Sequence, residues 1–362
     1  MELTAPVTGS SARVVPREVG GAVLIVGNFL SGAEGSRGVC EELCMRLAAN
    51  GWSVVTTSSR KSRFLRLIDM LWTTWRCRHR FGIVQIDVFS GPAFCWAAAV
   101  CILLRLLAKP YVLTLHGGNL PAFGRRWPRA LRAVLCQAAA VTVPSPYLLK
   151  AMQQFRADLR LLPNAIDLSL YPYRLRKPAR PRLVWLRAFH RIYSPSLAVR
   201  VLASLTNDFP DIQLSMIGPD KGDGSYEEAR LLASQLAVDD RIEYPGSVPK
   251  SEVGRWINRG DIFLNTSTVD NTPVTILEAM ACGACIVSTE VGGIPHLATH
   301  GVDSLLVPAE DSKAMAQCVA QLLRQPDLAA RLSLNARRRV EIIDWSHVLP
   351  EWMALLSTAA KY

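Results

Sequence analysis

The chain has 362 residues, half of them apolar and a fifth charged, with nine cysteines and a formal net charge of +11. That length exceeds one ordinary core and favours two domains, and the composition excludes a disordered or fibrous chain. The cysteines form no C-x-x-C pair or metal-like cluster and no secretory signal opens the chain, which points to a reducing, cytoplasmic setting.

The excess charge sits in the first half. Residues 1–170 hold 20 Lys and Arg against 9 Asp and Glu, and residues 171–362 hold 21 of each. A basic half suits nucleic acid, an anionic membrane surface or an acidic substrate.

In chain order, residues 1–20 read as a polar leader. Residues 22–26 form an apolar run ending at Gly27, followed by Gly32, Gly35 and Gly38, an amphipathic helix over 39–50, and a strand over 52–57 after Gly51. Strand, loop, helix and strand make a Rossmann-type half. The glycines match neither G-x-G-x-x-G nor G-x-x-x-x-G-K-[ST], so neither a dinucleotide nor a P-loop reading follows. By itself the loop is as consistent with a tight turn as with a ligand contact.

Residues 60–80 interleave arginines with Phe64, Leu67, Ile68, Leu71, Trp72 and Trp75 at helical intervals. Two readings stand: a basic amphipathic helix at an anionic membrane, or a Rossmann helix with its apolar face on the sheet and its arginines in solvent. A strand is predicted over 83–88 and a buried helix over 92–107, which falls short of ~20 residues and contains Arg105. The strand over 111–115 ends at His116-Gly117-Gly118, and open parallel sheets bind ligands at that edge. Strand 141–144 and a helix capped by Ser145 follow. Tyr171 to Pro181, with three prolines and four basic residues, reads as an interdomain linker.

The second half repeats the pattern, with strands over 183–186 and 213–217, the latter ending at Gly218, and over 242–244 before Gly246-Ser247-Val248-Pro249. Residues 263–297 form the densest stretch. Thr272 is a candidate N-cap and Pro273 a first helical residue, with Gly283 as the stop. Free amides at that helix start attract phosphate. Asp270 and Glu278 flank it. Beyond, 301–308 reads as a strand, Asp311 as a cap, Arg337-Arg338-Arg339 as a solvated face, and 345–362 as a terminal helix.

This stretch resembles the C-terminal signature of retaining glycosyltransferase family 4, whose fold is GT-B. The resemblance rests on Asp270 and Glu278 with seven residues between them, Ala279-Met280-Ala281-Cys282-Gly283, Ile286-Val287-Ser288-Thr289 and Val291-Gly292-Gly293-Ile294-Pro295. Asp270 stands where the family has Glu, Cys285 where it has Pro, and His296 where it has Glu. Leu161 to Asp167 resembles the family's closing element, with Ala165 for Gly.

The resemblance implies an α/β protein of two Rossmann-like domains facing each other across a cleft. An acceptor domain spans 21–170, the linker 171–181 and a donor domain 182–344, with 345–362 crossing back to the first. The implied reaction moves a sugar from a UDP or GDP sugar to a glycan or lipid-linked acceptor, with retention. The departing phosphate takes the acceptor proton, which is why no nucleophile–base set is needed. No metal and no further cofactor are expected, because Arg187 and helix amides stabilise the leaving diphosphate. The family's Lys-Gly is replaced by Tyr193-Ser194, leaving Arg191 as the candidate second cation. Asp270 is expected on the transferred sugar, Glu278 on the ribose, and Asn271, Thr272, Pro273 and Val274 at sugar and phosphate. Gly218 and Val248 are expected beside the nucleotide, and Gly27, Gly32 and His116 across the cleft. A non-hydrolysing nucleotide-sugar epimerase and an impaired paralogue are the alternatives. A nucleic-acid binder would explain the charge alone, but no recognised binding module accompanies it.

Overall fold

The computed structural model describes residues 21–29, 38–60, 62–117, 119–270 and 272–361. Gly32, Gly35, Gly118 and Asn271, named above, lie outside the described residues. The first half runs β1 (Ala22–Val26), α1 (Val39–Ala49), β2 (Ser53–Thr57), α2 (Arg63–Arg76), β3 (Ile83–Val88), α3 (Pro92–Leu106), β4 (Tyr111–Leu115), α4 (Leu120–Arg126), α5 (Pro128–Leu135), β5 (Ala140–Val143), α6 (Pro146–Met152) and β6 (Leu159–Leu161). The second runs β7 (Arg182–Leu186), α7 (Pro195–Leu205), β8 (Gln213–Ile217), α8 (Ser225–Gln235), β9 (Ile242–Gly246), α9 (Lys250–Ile257), β10 (Ile262–Asn265), α10 (Val274–Ala281), β11 (Cys285–Thr289), α11 (Ile294–Leu297), β12 (Ser304–Val307), α12 (Ser312–Arg324), α13 (Pro326–Glu341) and α14 (Trp345–Ala359).

Each half builds one six-stranded parallel sheet, in the orders β2-β1-β3-β4-β5-β6 and β12-β11-β10-β7-β8-β9. Strands buried on both faces are near-continuous apolar runs, and successive residues face opposite layers. Leu24 and Val26 pack with Met70 and Leu104, while Val23 and Ile25 pack with Leu43, Leu47 and Trp352. Leu183 and Trp185 likewise face Val199 and Met315, and Val184 and Leu186 face Ile276 and Val340. Strand order reverses between β1 and β3 in one sheet and between β7 and β10 in the other. Such switch points open a crevice at the carboxyl ends of the strands.

Two chain segments cross between the halves side by side. Ile166 N donates to Ile343 O at 3.0 Å, and Trp345 N donates to Ile166 O at 3.1 Å. From there α14 packs Trp352 and Leu356 onto the first sheet's Val23 and Ile25. Arg46 of α1 pairs with Asp167 beside this crossing. Residues 171–181 are laced to the second half: Arg174 and Arg180 pair with the buried Asp261, and the fully buried Arg176 donates to Asn258 Oδ1 at 2.7 Å. Across the halves, the Tyr147 ring of α6 lies 5.7 Å from that of His296 in α11.

Three expectations change. Helix α2 buries Arg66, Met70 and Thr74, whereas Phe64, Leu65, Ile68, Trp72 and Trp75 face solvent, Phe64 at 71% exposure. The reading with the apolar face on the sheet and solvated arginines outside holds only in part: Met70 and Leu71 pack on the core and Arg63 and Arg76 stay exposed, but Arg66 is buried and the larger apolar side chains are not. Arg66 can be inside because its Nε donates to Arg60 O and its Nη1 to Asn28 Oδ1, both at 2.9 Å. Helix α3 is buried on one face only, leaving Ile102 and Leu106 exposed. Finally, Arg337 and Arg339 are not a solvated face. Arg337 Nη1 donates to Ala281 O at 2.8 Å, at the carbonyl-rich end of α10, and Arg339 Nε pairs with Asp303 at 2.5 Å.

Candidate functional site

The site forms where β7 and β10 end. Arg187 follows β7 directly, and its N–H donates to Ile217 O at 3.0 Å. Gly218, at the end of β8 with φ +147°, permits this approach, since a Cβ there would lie 1.8 Å from Arg187 O. The Arg187 guanidinium is buried, stacks 4.6 Å from the Tyr193 ring centre and pairs with Asp270. Burial lowers its pKa from the ordinary arginine value, with Tyr193 and Glu278 opposing. Among the described residues its Nε has no partner.

Asp270 is carried by a loop whose polar residues are buried and paired. Trp185 Nε1 donates to Thr266 Oγ1 at 2.8 Å, Thr289 Oγ1 to Ser267 O at 2.6 Å, and Thr268 N to Ile192 O at 2.8 Å. The Asp270 carbonyl accepts from Gly293 N at 3.1 Å. Gly292, at φ +56°, lies against the same carbonyl, and a Cβ there would come within 1.8 Å of it. The Val291-Gly292-Gly293 motif thus holds the loop that presents Asp270.

Helix α10 starts one residue later than expected. Pro273, with ψ 107°, is the extended N-cap residue, and the helix begins at Val274. Thr272 therefore makes no capping bond: its Oγ1, like that of Thr275, is buried without a partner among the described residues. The stop at Gly283 stands, with φ +71° and a Cβ position 2.5 Å from the Tyr173 ring. Glu278, 3% exposed, accepts from Tyr171 Oη at 2.9 Å and pairs with Lys250 Nζ. Burial and the Glu278 charge push the Tyr171 hydroxyl up, so it remains a proton donor.

The structure thus brings Arg187, Gly218, Asp270, Thr272, Pro273, Val274 and Glu278 to one sheet edge. Val274 also lines a cleft of about 670 Å³ with Val39, Arg46, Ala165, Tyr171 and Lys250, residues of both halves. Val248 is half-buried against the core behind α10. Arg191 is not delivered as a second cation. Its side chain is 67% exposed and turns to Glu228 at 2.9 Å, because Asp223 holds its backbone N–H at 2.8 Å.

Gly27 and His116 sit at the edge of the other sheet, after β1 and β4. Gly27 N donates to Thr57 O at 2.8 Å, and the His116 ring stacks on Phe89 with centroids 5.2 Å apart. Sequence reasoning missed Lys250 and Tyr171, the partners of Glu278. Tyr171 was absorbed into the linker, and Lys250 opens α9 in an unremarkable Pro-Lys-Ser. It also missed Asp87, which bonds His116. The available signal was a pair of polar residues, Gln85 and Asp87, alternating in an otherwise apolar strand.

Comparison with known proteins adds the relatives. Residues 34–170 match the model described as Glycosyltransferase Family 4, and residues 180–325 the one described as Glycosyl transferases group 1. The chain is similar to a D-inositol 3-phosphate glycosyltransferase of Thermobispora bispora, 28% identical over 180 residues, covering 48% of this chain and 42% of that protein. A putative colanic acid biosynthesis glycosyltransferase of Salmonella typhimurium is 35% identical over 127 residues, 33% of this chain and 31% of the relative. The chain spans about half the length of the curated relatives it matches. Among solved structures, sucrose-phosphate synthase from Thermosynechococcus elongatus superposes with a TM-score of 0.75 at 19% identity, covering 93% of this chain and 98% of that one. Anabaena HepE in complex with UDP gives 0.73 at 16%, covering 93% and 100%. The two-sheet architecture is the GT-B fold.

Proposed function

The chain belongs to the group 1 glycosyltransferases of glycosyltransferase family 4, and from that membership we propose that it transfers a sugar from a nucleotide-diphosphate donor to an acceptor hydroxyl with retention at the anomeric carbon. The observation that carries this reading is the Arg187–Asp270 pair at the β7/β10 switch point, beside the first turn of α10. A leaving diphosphate gains charge in the transition state, and a buried arginine with free helix amides stabilises that charge. The unpartnered Arg187 Nε, Thr272 Oγ1 and Thr275 Oγ1 are groups that a bound donor would satisfy. Asp270 takes hydroxyls of the transferred sugar and Glu278 the ribose diol. Lys250, held at Glu278, adds a positive charge that the Tyr193-Ser194 turn lacks. As the acceptor oxygen bonds to the anomeric carbon, the bond to phosphate breaks and a phosphate oxygen receives the acceptor proton. This scheme needs no divalent metal.

The acceptor in this reading is a lipid-linked or growing glycan in bacterial polysaccharide or envelope assembly. The relative named for colanic acid biosynthesis supports the polysaccharide setting. The solvent-facing apolar row of α2, set among Arg63, Arg76 and Arg78, suits peripheral contact with an anionic membrane from the cytoplasmic side. No helix among the described residues is long and apolar enough to cross a membrane.

Thermal unfolding in the presence of UDP and GDP sugars tests the donor assignment. Selective binding raises the melting temperature, with a stabilisation that grows as the logarithm of the ligand excess over Kd. One nucleotide class is expected to stabilise the protein, and no shift with any nucleotide sugar at millimolar concentration would contradict the reading.

A further inference from the structure

The first sheet buries a chain of polar side chains that ends at His116. Thr142 Oγ1 lies 3.1 Å from Thr114 Oγ1, Gln85 Nε2 donates to Thr114 Oγ1 at 2.9 Å and to Asp87 Oδ1 at 2.8 Å, and His116 Nε2 lies 3.0 Å from the same Oδ1. The chain crosses β5, β4 and β3. The Asp87 side chain is 6% exposed and that of His116 11%. Gly27, at the end of β1, makes room for the carboxylate, since a Cβ there would lie 2.9 Å from Asp87 Oδ2. Phe89 stacks on the imidazole at an interplanar angle of 22°.

Burying a carboxylate costs several kcal/mol unless hydrogen bonds repay it. Here Gln85 donates one bond to Oδ1, and the other partner of that oxygen is a nitrogen of a ring at the sheet's ligand-binding edge, which must carry a proton to bond a carboxylate. A ring nitrogen that donates to a carboxylate fixes the tautomer and leaves the other as an acceptor. His116 Nδ1 has no hydrogen bond among the described residues.

We infer that Asp87 is a positioning residue for His116: it takes the Nε2 proton, so that the neutral ring, clamped by Phe89, offers Nδ1 to a hydroxyl of the bound sugar substrate. The substrate part rests on the glycosyl-transfer reading. The ring part does not.

The test is ¹⁵N-resolved NMR of His116 at pH 8 in the full chain without ligand, together with steady-state nucleotide release. In wild type a slowly exchanging proton is expected on Nε2. Asp87→Ala is expected to lose its protection and to lower kcat/KM about tenfold to a hundredfold, the range found for orienting partners of metal-bound imidazoles. Asp87→Asn keeps an acceptor oxygen for Gln85 and His116 and is expected to keep the proton on Nε2 and most of the activity. It carries the test if the alanine variant does not fold. A wild-type proton on Nδ1, or wild-type kcat/KM in Asp87→Ala, overturns the inference. A protected Nε2 proton in a wild type that turns over no nucleotide sugar instead removes the glycosyl-transfer reading and leaves the Asp87–His116 pairing established.

Discussion

Arg187 and Asp270, 83 residues apart in the chain, pair across the switch point between β7 and β10. Each side chain is about one-eighth exposed, so the pair is held largely away from water. Neither residue could be buried here alone, because an uncompensated buried charge costs about 3–5 kcal/mol. A diphosphate entering beside α10 competes with Asp270 for the guanidinium and frees the carboxylate for sugar hydroxyls. Arg187→Ala is expected to lower kcat/KM about a hundredfold. Arg187→Lys should fall between it and wild type, since lysine keeps the charge but loses the planar fork and the stacking on Tyr193. Nucleotide release at varied donor concentration measures both.

Tyr171 tests whether Glu278 binds in the ground state. Its hydroxyl donates to Glu278 Oε1 at 2.9 Å, and hydrogen bonds to charged groups contribute about 1.5–3 kcal/mol. A ribose contact exists equally before and during the chemical step, and uniform binding appears in KM rather than kcat. Tyr171→Phe should therefore raise donor KM roughly tenfold with kcat little changed. An effect confined to kcat would place Glu278 at the reacting centre.

Gly292 and Gly301 form a matched pair. Both have positive φ, +56° and +73°, but only at Gly292 would a Cβ strike backbone, the Asp270 carbonyl. Each alanine substitution should cost roughly 1 kcal/mol in strain. Gly292→Ala must also displace the Asp270 loop. Gly301→Ala is expected to lower the melting temperature and spare activity, while Gly292→Ala abolishes most turnover in protein that is still folded.

Helix α2 makes a prediction about surfaces. Phe64, Leu65, Ile68, Trp72 and Trp75 together exceed the scattered apolar exposure usual for a monomer. Replacing Phe64, Trp72 and Trp75 with Ser should abolish co-sedimentation with phosphatidylglycerol vesicles and leave turnover of a water-soluble acceptor intact. Equal sedimentation of variant and wild type would remove the membrane reading.

Much of this was legible in sequence because parallel strands advertise themselves. Apolar runs such as Val23 to Val26 and Phe263 to Leu264, each followed by Gly or small polar residues, marked the strands and their carboxyl edges. Arg187, Asp270 and Glu278 were found because a family pattern fixed their spacing. What each would touch was not legible, since Arg187 meets Asp270, and Glu278 meets Tyr171 and Lys250, only through sheet order and helix packing. Arg191 had the right charge at nearly the right position, yet Asp223 and Glu228, more than thirty residues on, decide where it points. The inward turn of Arg66 in α2 was hidden for a related reason. Periodicity reports that a helix has an apolar stripe, but Asn28 and Arg60 O decide that Arg66 is the side turned inward.

The most direct measurement is release of nucleoside diphosphate from the stabilising donor by wild type, Asp270→Ala and Glu278→Ala, each shown to be folded by thermal melting. The account predicts steady release by wild type and a loss of at least about tenfold, ~1.4 kcal/mol of transition-state stabilisation, in each variant. Turnover unchanged in both variants would contradict it, because a donor site that needs neither carboxylate is not the one at the start of α10.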